Sequence, residues 1–502
     1  MVAARSASTE PSTPNAASGR RGVVTLAVCC TALFMTTLDN TIVNVALPSL
    51  QRELRSSASG LQWTVDSYVL VRASLLFICG SLADRFGRRR SFAVGLVGFA
   101  LASLACSLAP NLGALIGFRA LQAVGGALMT PSSLAIITNT FTDPERRARA
   151  VGIWSATTGL STAGGPVLGG LLVQTVGWRS VFWVNVPIGI AALVGTRVLR
   201  ESRAAGTPRR LDVPGQLLVT GALATLTYAL ISGPEAGWGS GVVVWLLLAS
   251  VVLGAGFVVR ERRSDHPLLD LRYFANPALT GAVLIAIAAF LALGGFLFFN
   301  TLYLQNLRGF SPLHAGLLTV PTTLATLVLA PWAGRITGRR GPRLPATSAC
   351  FLIGAAMATL AVVTAPATPL WLLLVGYLLL GSGMGLVNPP ATNAAVAAMP
   401  PEQAGVASAT TSTARQVGTN LGIALLGSVV FSTAAAAGRP AAGHGGGALA
   451  GATAVAFTHG MRYGYAVAAL LAIACAFVSI RAFRPEGLRT AEPDARQPAI
   501  GD

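Results

Sequence analysis

Two carboxylates stand inside apolar stretches long enough to cross a bilayer: Asp39 in "TALFMTTLDNTIVNVALPSL" (31–50) and Asp66 in "QWTVDSYVLV" (62–71). A third ionisable group, Arg119 in "FRALQAVGGALMTP" (118–131), occupies another such stretch. A charged side chain at the centre of a bilayer costs about 2.5–3.5 kcal/mol or more, so each is a functional candidate by default. The chemistry open to such a set is proton uptake and release by an acid whose charged form is penalised by burial and favoured by a nearby guanidinium. The bland alternative is a fixed buried ion pair that only orients helices.

The elements that must hold these groups are membrane helices. Of 502 residues 53% are apolar and only 11% charged, with mean hydropathy +0.64; a soluble protein of this size carries about 25% charged residues. The 36 Lys and Arg residues are all Arg. Without lysine there is no P-loop and no Schiff-base chemistry, so direct ATP coupling is unsupported. Cys29, Cys30, Cys79, Cys106, Cys350 and Cys475 all sit in apolar runs with no CxxC, and His266, His314, His444 and His459 are scattered without HExxH. No metal site and no cofactor is expected. Loops too short for a soluble active site argue against a membrane enzyme.

At about 20 apolar residues per span, fourteen windows are expected: 23–47, 61–82, 91–109, 112–140, 149–174, 180–199, 213–232, 241–259, 278–304, 312–333, 344–364, 370–396, 404–432 and 463–483. An even number places both tails on one side. Alternate connections divide the arginines unequally. Six (Arg52, Arg55, Arg179, Arg308, Arg439, Arg462) fall on one side and three (Arg72, Arg119, Arg415) inside spans, leaving 27 on the side of the N-terminus. By the positive-inside rule that side is cytosolic. The net charge of +18 is then a topology signal, and nucleic acid is not an expected partner. Asp39 lies nine residues before Pro48, at the outer end of its span. Asp66 lies five residues, and Arg119 seven, past the outer starts of theirs. All three are therefore about 8–13 Å from the outer face, where Arg119 is expected to approach one or both carboxylates.

The chain also repeats itself. "GSLADRFGRRR" from Gly80 matches "GRITGRRGPR" from Gly334, superposing Gly87 on Gly341, and "SATT" recurs at Ser155 and Ser408. An offset near 255 exceeds six spans, because a helix pair at 213–259 has no counterpart. The expected organisation is a disordered cytosolic tail (1–21), a six-helix bundle (22–200), an inserted pair with cytosolic linkers (201–275), a second six-helix bundle (276–484) and a cytosolic tail (485–502). Parallel six-helix repeats are a transporter plan with the substrate path between them.

Two motifs carry the reading further. In "GSLADRFGRRR", Gly80, Asp84, Arg85, Gly87 and Arg88 follow a Gly-x-x-x-Asp-Arg-x-Gly spacing that a plain positive-inside anchor does not need. The motif closely resembles the loop signature of the major facilitator superfamily, and the degenerate second copy fits that family too. In "GLSTAGGPVLGGLL", Gly165, Pro166, Gly169 and Gly170 make a nearly bare helix face suited to kinking and close contact. This stretch resembles the antiporter motif of the exporter branches, with Ser161 where another Gly is common. From about residue 23 to 480 the chain is similar to fourteen-span drug–proton antiporters of the QacA/EmrB type. The resemblance implies an all-α polytopic membrane protein of the major facilitator fold, with 14 helices arranged 6 + 2 + 6. It further implies proton-driven efflux of a lipophilic or cationic drug or antibiotic by alternating access, with the proton gradient as energy source, and a monomer in the cytoplasmic membrane. Uptake or facilitated transport of a small organic solute, or a transporter-like sensor, are the alternatives.

Residues expected to line the cavity are Asn40 and Asn44, on a polar stripe with Thr36, together with Gln122, Arg72 and Arg415. Arg72 departs from the family pattern, in which its position is apolar, and stands about 120° around the helix from Asp66. Arg415 with Gln416 matches a polar pair common in the thirteenth span of that family.

Overall fold

The computed structural model describes residues 16–203, 212–264, 270–399, 404–436 and 451–483. Most of the expected N-terminal tail, all residues beyond 483, Arg439, His266 and His444 lie outside the described residues.

The first helix, α1 (Ala16–Leu54), starts inside the expected tail and runs through Pro48. Arg21 ties this early turn down by donating to the Val198 carbonyl at 3.0 Å. A proline removes one backbone hydrogen bond, and here that loss does not end the helix. There follow α2 (Ala58–Phe86), α3 (Arg88–Ser107), α4 (Leu112–Thr140) and α5 (Pro144–Thr175). Asn111 and Asp143 cap the last two by accepting the amides of Ala114 and Arg146, satisfying donors that the first turn leaves free. The expected sixth span is broken at Val184 into α6 (Ser180–Trp183) and α7 (Asn185–Gly195). Pro187, just beyond, has no N–H to bond the preceding turn.

Next come α8 (Val213–Ala236), α9 (Gly241–Arg263) and α10 (Pro277–Leu302). A second break, before Pro321, separates α11 (Pro312–Leu318) from α12 (Val320–Arg340). The chain finishes with α13 (Arg343–Val363), α14 (Leu370–Ala397), α15 (Ala404–Ala436) and α16 (Gly451–Ala482). The last helix begins twelve residues before the expected window at 463. Arg462 does not stop it, because its Nε donates to the Ala361 carbonyl of α13 at 2.8 Å.

Among the described residues twelve spans are long and apolar enough to cross a membrane, or thirteen if α2, bent by 54° between Leu76 and Ile78, counts as one. The 32-residue α5, charged at its start and rich in Gly and Thr, is outside that set. Length and apolarity alone therefore do not reach the expected fourteen.

Helices α1 to α7 pack on one another, as do α10 to α16. Between these groups α2 packs on α15, and α5 packs on α11 and α12. Hydrogen bonds joining the groups include Gln62 to the Ile423 carbonyl (2.9 Å), Gln305 to the Val45 carbonyl (3.0 Å) and Asn306 to the Gln51 carboxamide (3.0 Å). All three lie toward the end where α1 finishes and α2 begins, so the groups are sealed together there. The turns joining α2 to α3 and α12 to α13 share one device: Gly87 (φ 109°) and Gly341 (φ 79°) take a backbone conformation that side chains disfavour.

Helix α8 lies along the α2–α15 seam. Its Gln216 donates to the Ser74 carbonyl, Tyr228 stacks near Trp63 (centroids 5.6 Å apart), and Thr227 donates to Asn420 at 2.8 Å. Trp238, just past the helix, donates to Ser432 at 3.1 Å. By contrast α9 packs chiefly on α8, and most of its apolar residues are exposed, as a lipid-facing helix requires.

Candidate functional site

The expected cluster of Asp39, Asp66 and Arg119 is divided in two. Asp39 and Arg119 are both fully buried inside the first helix group. Arg119 Nη1 donates to Asp39 Oδ2 at 2.5 Å, while Asp39 Oδ1 accepts from Gln122 Nε2 (2.8 Å) and Asn185 Nδ2 (2.9 Å). Arg119 also donates to the Thr64 carbonyl (3.2 Å) and the Gln122 carboxamide oxygen (2.7 Å), and stands 4.3 Å over the Tyr68 ring. Ser103 completes the network by accepting from Gln122 at 2.6 Å. A desolvated ion pair repays its burial only with such extra hydrogen bonds. Ser103 and Asn185 were not singled out from the sequence, where each is a lone polar residue in an apolar run. Gln122 belongs to this network and not to a cavity wall.

Asp66 has no such company. It is fully buried, and neither carboxylate oxygen has a hydrogen-bond partner. Its polar neighbour is Asn420 of α15, in the other helix group, whose Nδ2 is likewise unpartnered and whose Oδ1 accepts from Thr227 of α8. Asp66 thus sits where three structural units meet.

Arg72 and Arg415 lie one level further along the same seam. Arg72 is 6% exposed; its Nη2 donates to Thr130 Oγ1 at 3.2 Å, and its Nε has no partner. Arg415 donates to Asn388 (3.1 Å) and Ser412 (2.9 Å). Of the α1 stripe, Asn44 Nδ2 bonds the Asn40 carbonyl at 3.0 Å, while the side-chain oxygens of both asparagines are buried and unpartnered.

In the first turn motif, Asp84 pairs with Arg88 at 2.8 Å, and Arg85 lies 5.7 Å from the Phe86 ring. A Cβ on Gly80 would make ordinary 3.6 Å contact with Pro131, so close approach does not require glycine there. Gly87 does have a neighbour: Glu201 covers it and accepts the Arg89 and Arg90 amides (3.0 and 3.2 Å) at the start of α3. Sequence reading missed Glu201, which follows a different span.

The bare face of α5 is occupied on two sides. A Cβ on Gly165 would strike Thr41 of α1, and one on Gly169 would come within 2.7 Å of Ile42. On Gly170 it would stand 2.5 Å from the Pro312 carbonyl oxygen, across the junction with the second group. Gly316 of α11 meets the Pro166 carbonyl in the same way. These residues therefore seat α5 against α1 and α11 at the sealed end.

Two helix groups joined at one end, with buried polar and charged groups along their seam, define a membrane transporter. The Major Facilitator Superfamily model matches residues 29–423, and the chain belongs to that superfamily. Relatives include the tetracenomycin C resistance and export protein of Streptomyces glaucescens, 41% identical over 83% of this chain and 78% of its own. A methylenomycin A resistance protein of Streptomyces coelicolor is 39% identical over 83% and 88%, and a puromycin resistance protein of Streptomyces alboniger 40% over 82% of each. Among solved structures, an inward-facing, unoccupied bacterial homolog of the human lysosomal transporter Spinster aligns with TM-score 0.65 at 18% identity, covering 92% of this chain and 98% of its own. The protein is thus a multi-pass cell-membrane transporter of small molecules and not an enzyme. Transporters of this superfamily need no cofactor.

Proposed function

We propose that this protein exports a lipophilic antibiotic or drug across the cytoplasmic membrane in exchange for protons, as a monomer working by alternating access. The observation that carries the reading is Asp66, a buried carboxyl without a hydrogen bond, beside Asn420 on the opposite side of the seam. An unpaired buried carboxylate costs several kcal/mol. A proton removes that cost when the seam is closed around it, and a donor group of the substrate does so when the seam is open. Proton and substrate then compete for one acid, which is the requirement for exchange. The Asp39–Arg119 network holds α1, α2, α4 and α7 as one rocking body around that acid.

The arrangement has fourteen spans once α2 and α5 are counted, in the order six, two and six, with residues 22–200 and 276–484 as the halves and 201–275 as the insert. With the arginine-rich connections and both termini in the cytosol, the sealed end faces outward. The closure formed by Gly165, Pro166, Gly169 and Gly170 is then the outer gate, and the turn from Gly80 to Arg88 lies at the inner one. Export rather than uptake is supported by the names of the relatives, which describe resistance and export.

The test is uptake of tetracenomycin C, methylenomycin A and puromycin into inverted vesicles energised by respiration, with lumenal pH followed by a quenched acridine dye. At least one compound is expected to enter and discharge the proton gradient. Uncoupler and Asp66→Asn should both stop this at unchanged membrane abundance. Uptake that survives both treatments would sink the exchange mechanism.

A further inference from the structure

The register of the α2–α15 seam locates a second feature. The helices are antiparallel: Gln62 reaches the Ile423 carbonyl and Asp66 neighbours Asn420. Continuing six residues along α2 and five back along α15 brings Arg72 and Arg415 to one level, about 8–9 Å beyond Asp66. Their positive charges act on each other across the seam. Each leans on a different neighbour, Arg72 on Thr130 of α4 and Arg415 on Asn388 of α14. Those neighbours are neutral. Among the described residues no ion pair includes either arginine.

Two like charges on one level of a membrane protein repel, and among the described residues no carboxylate offsets them; beyond Thr130, Arg72 has only the Tyr68 ring, 5.9 Å away, beside it. The same chain gives Arg119 a carboxylate and two further acceptors, so that although its Nη2 is unpartnered its charge is met by a counter-charge. Where a cation serves only the fold, its counter-charge is built in. At Arg72 the Nε is buried without a partner, and beside Arg415 the Gln416 Oε1 is buried without a donor. An arginine fork with free donors matches a carboxylate or phenolate oxygen.

We propose that Arg72 and Arg415, one from each half, grip an anionic group of the transported molecule, which makes the substrate an organic anion that also carries a hydrogen-bond donor for Asp66. This deepens and rests on the export reading. The division of labour keeps exchange intact, because the donor end competes with the proton at Asp66 while the anionic end is held a level away. Binding from both halves also links substrate occupancy to their relative position. An inside-negative membrane potential favours outward movement of the anion.

Two dyes on one xanthene frame separate the possibilities at mildly acidic pH: fluorescein, there a carboxylate monoanion that keeps a phenol O–H donor, and rhodamine 6G, a cation with N–H donors. Binding to the purified full-length protein in nanodiscs is measured by fluorescence anisotropy, and uptake of each dye into inverted vesicles is measured in parallel. Fluorescein is expected to bind about tenfold or more tightly than rhodamine 6G, the worth of a charge-assisted contact. Arg72→Gln and Arg415→Gln should bring the ratio toward one, and Arg415→Lys should restore part of it. Thermal midpoints identify variants that merely misfold. No fluorescein preference in the wild type, or equal loss of both dyes in well-folded variants, overturns the proposal. Fluorescein preference that both Gln variants abolish, with no energised uptake of either dye or of the three antibiotics, leaves the anion site standing and removes the export reading. Energised uptake of rhodamine 6G with no fluorescein preference does the reverse.

Discussion

Asp39 and Asp66 are equally buried on neighbouring helices, yet one receives hydrogen bonds from three side chains and the other from none. The difference follows their positions. Asp39 points into the interior of one helix group, where α4 and α7 bring a cation and two amides to it. Asp66 points to the boundary between the groups, beside Asn420; under the proposed exchange cycle that boundary parts and rejoins, and a permanent ion pair would lock it. A satisfied buried charge is a rivet, and an unsatisfied one at a moving boundary is available for a visiting proton or ligand.

The sharpest way to break this comparison is to truncate both acids. Asp39→Ala strands Arg119 in the interior and should lower stability by about 3–5 kcal/mol, seen as a large drop in thermal midpoint in detergent. Asp66→Asn should leave stability unchanged or raise it, since it removes no ion pair and relieves an unpaired buried carboxyl. Equal losses would erase the distinction. A smaller effect is expected at the sealed end. Gly170→Ala sets a methyl against the Pro312 backbone and should cost the closed junction about 1–3 kcal/mol, slowing transport. Gly164→Ala, with nothing within 4 Å of its Cβ, should transport normally. The smallest concerns the neighbour of Asp66. Thr227→Val removes the hydroxyl that orients Asn420 and should cost about 1 kcal/mol, measured as thermal midpoint, with transport reduced but not abolished.

The helical plan was legible because bilayer thickness imposes a length and charge imposes a side. What the sequence could not place were the partners. Asn185, Ser103 and Asn420 are isolated polar residues in apolar helices, and only the packing of five helices reveals which of them meet a carboxylate. For the same reason depth alone did not decide that Arg119 belongs with Asp39, and Thr41 of the same span proved to face α5. Helix ends moved where α1 ran on through Pro48 and where the Arg462 side chain found the Ala361 carbonyl. Gly87 and Gly341, by contrast, were paired by the repeat in the sequence, and both take a positive φ at the turns where they fall.

Helix α8 spans the α2–α15 seam from Gln216 to Trp238. It therefore covers the lipid side of Asp66, and a compound dissolved in the bilayer meets apolar helix surface there. On the opposite seam α5 packs directly on α11 and α12, so the two seams differ in what a lipid-borne molecule meets.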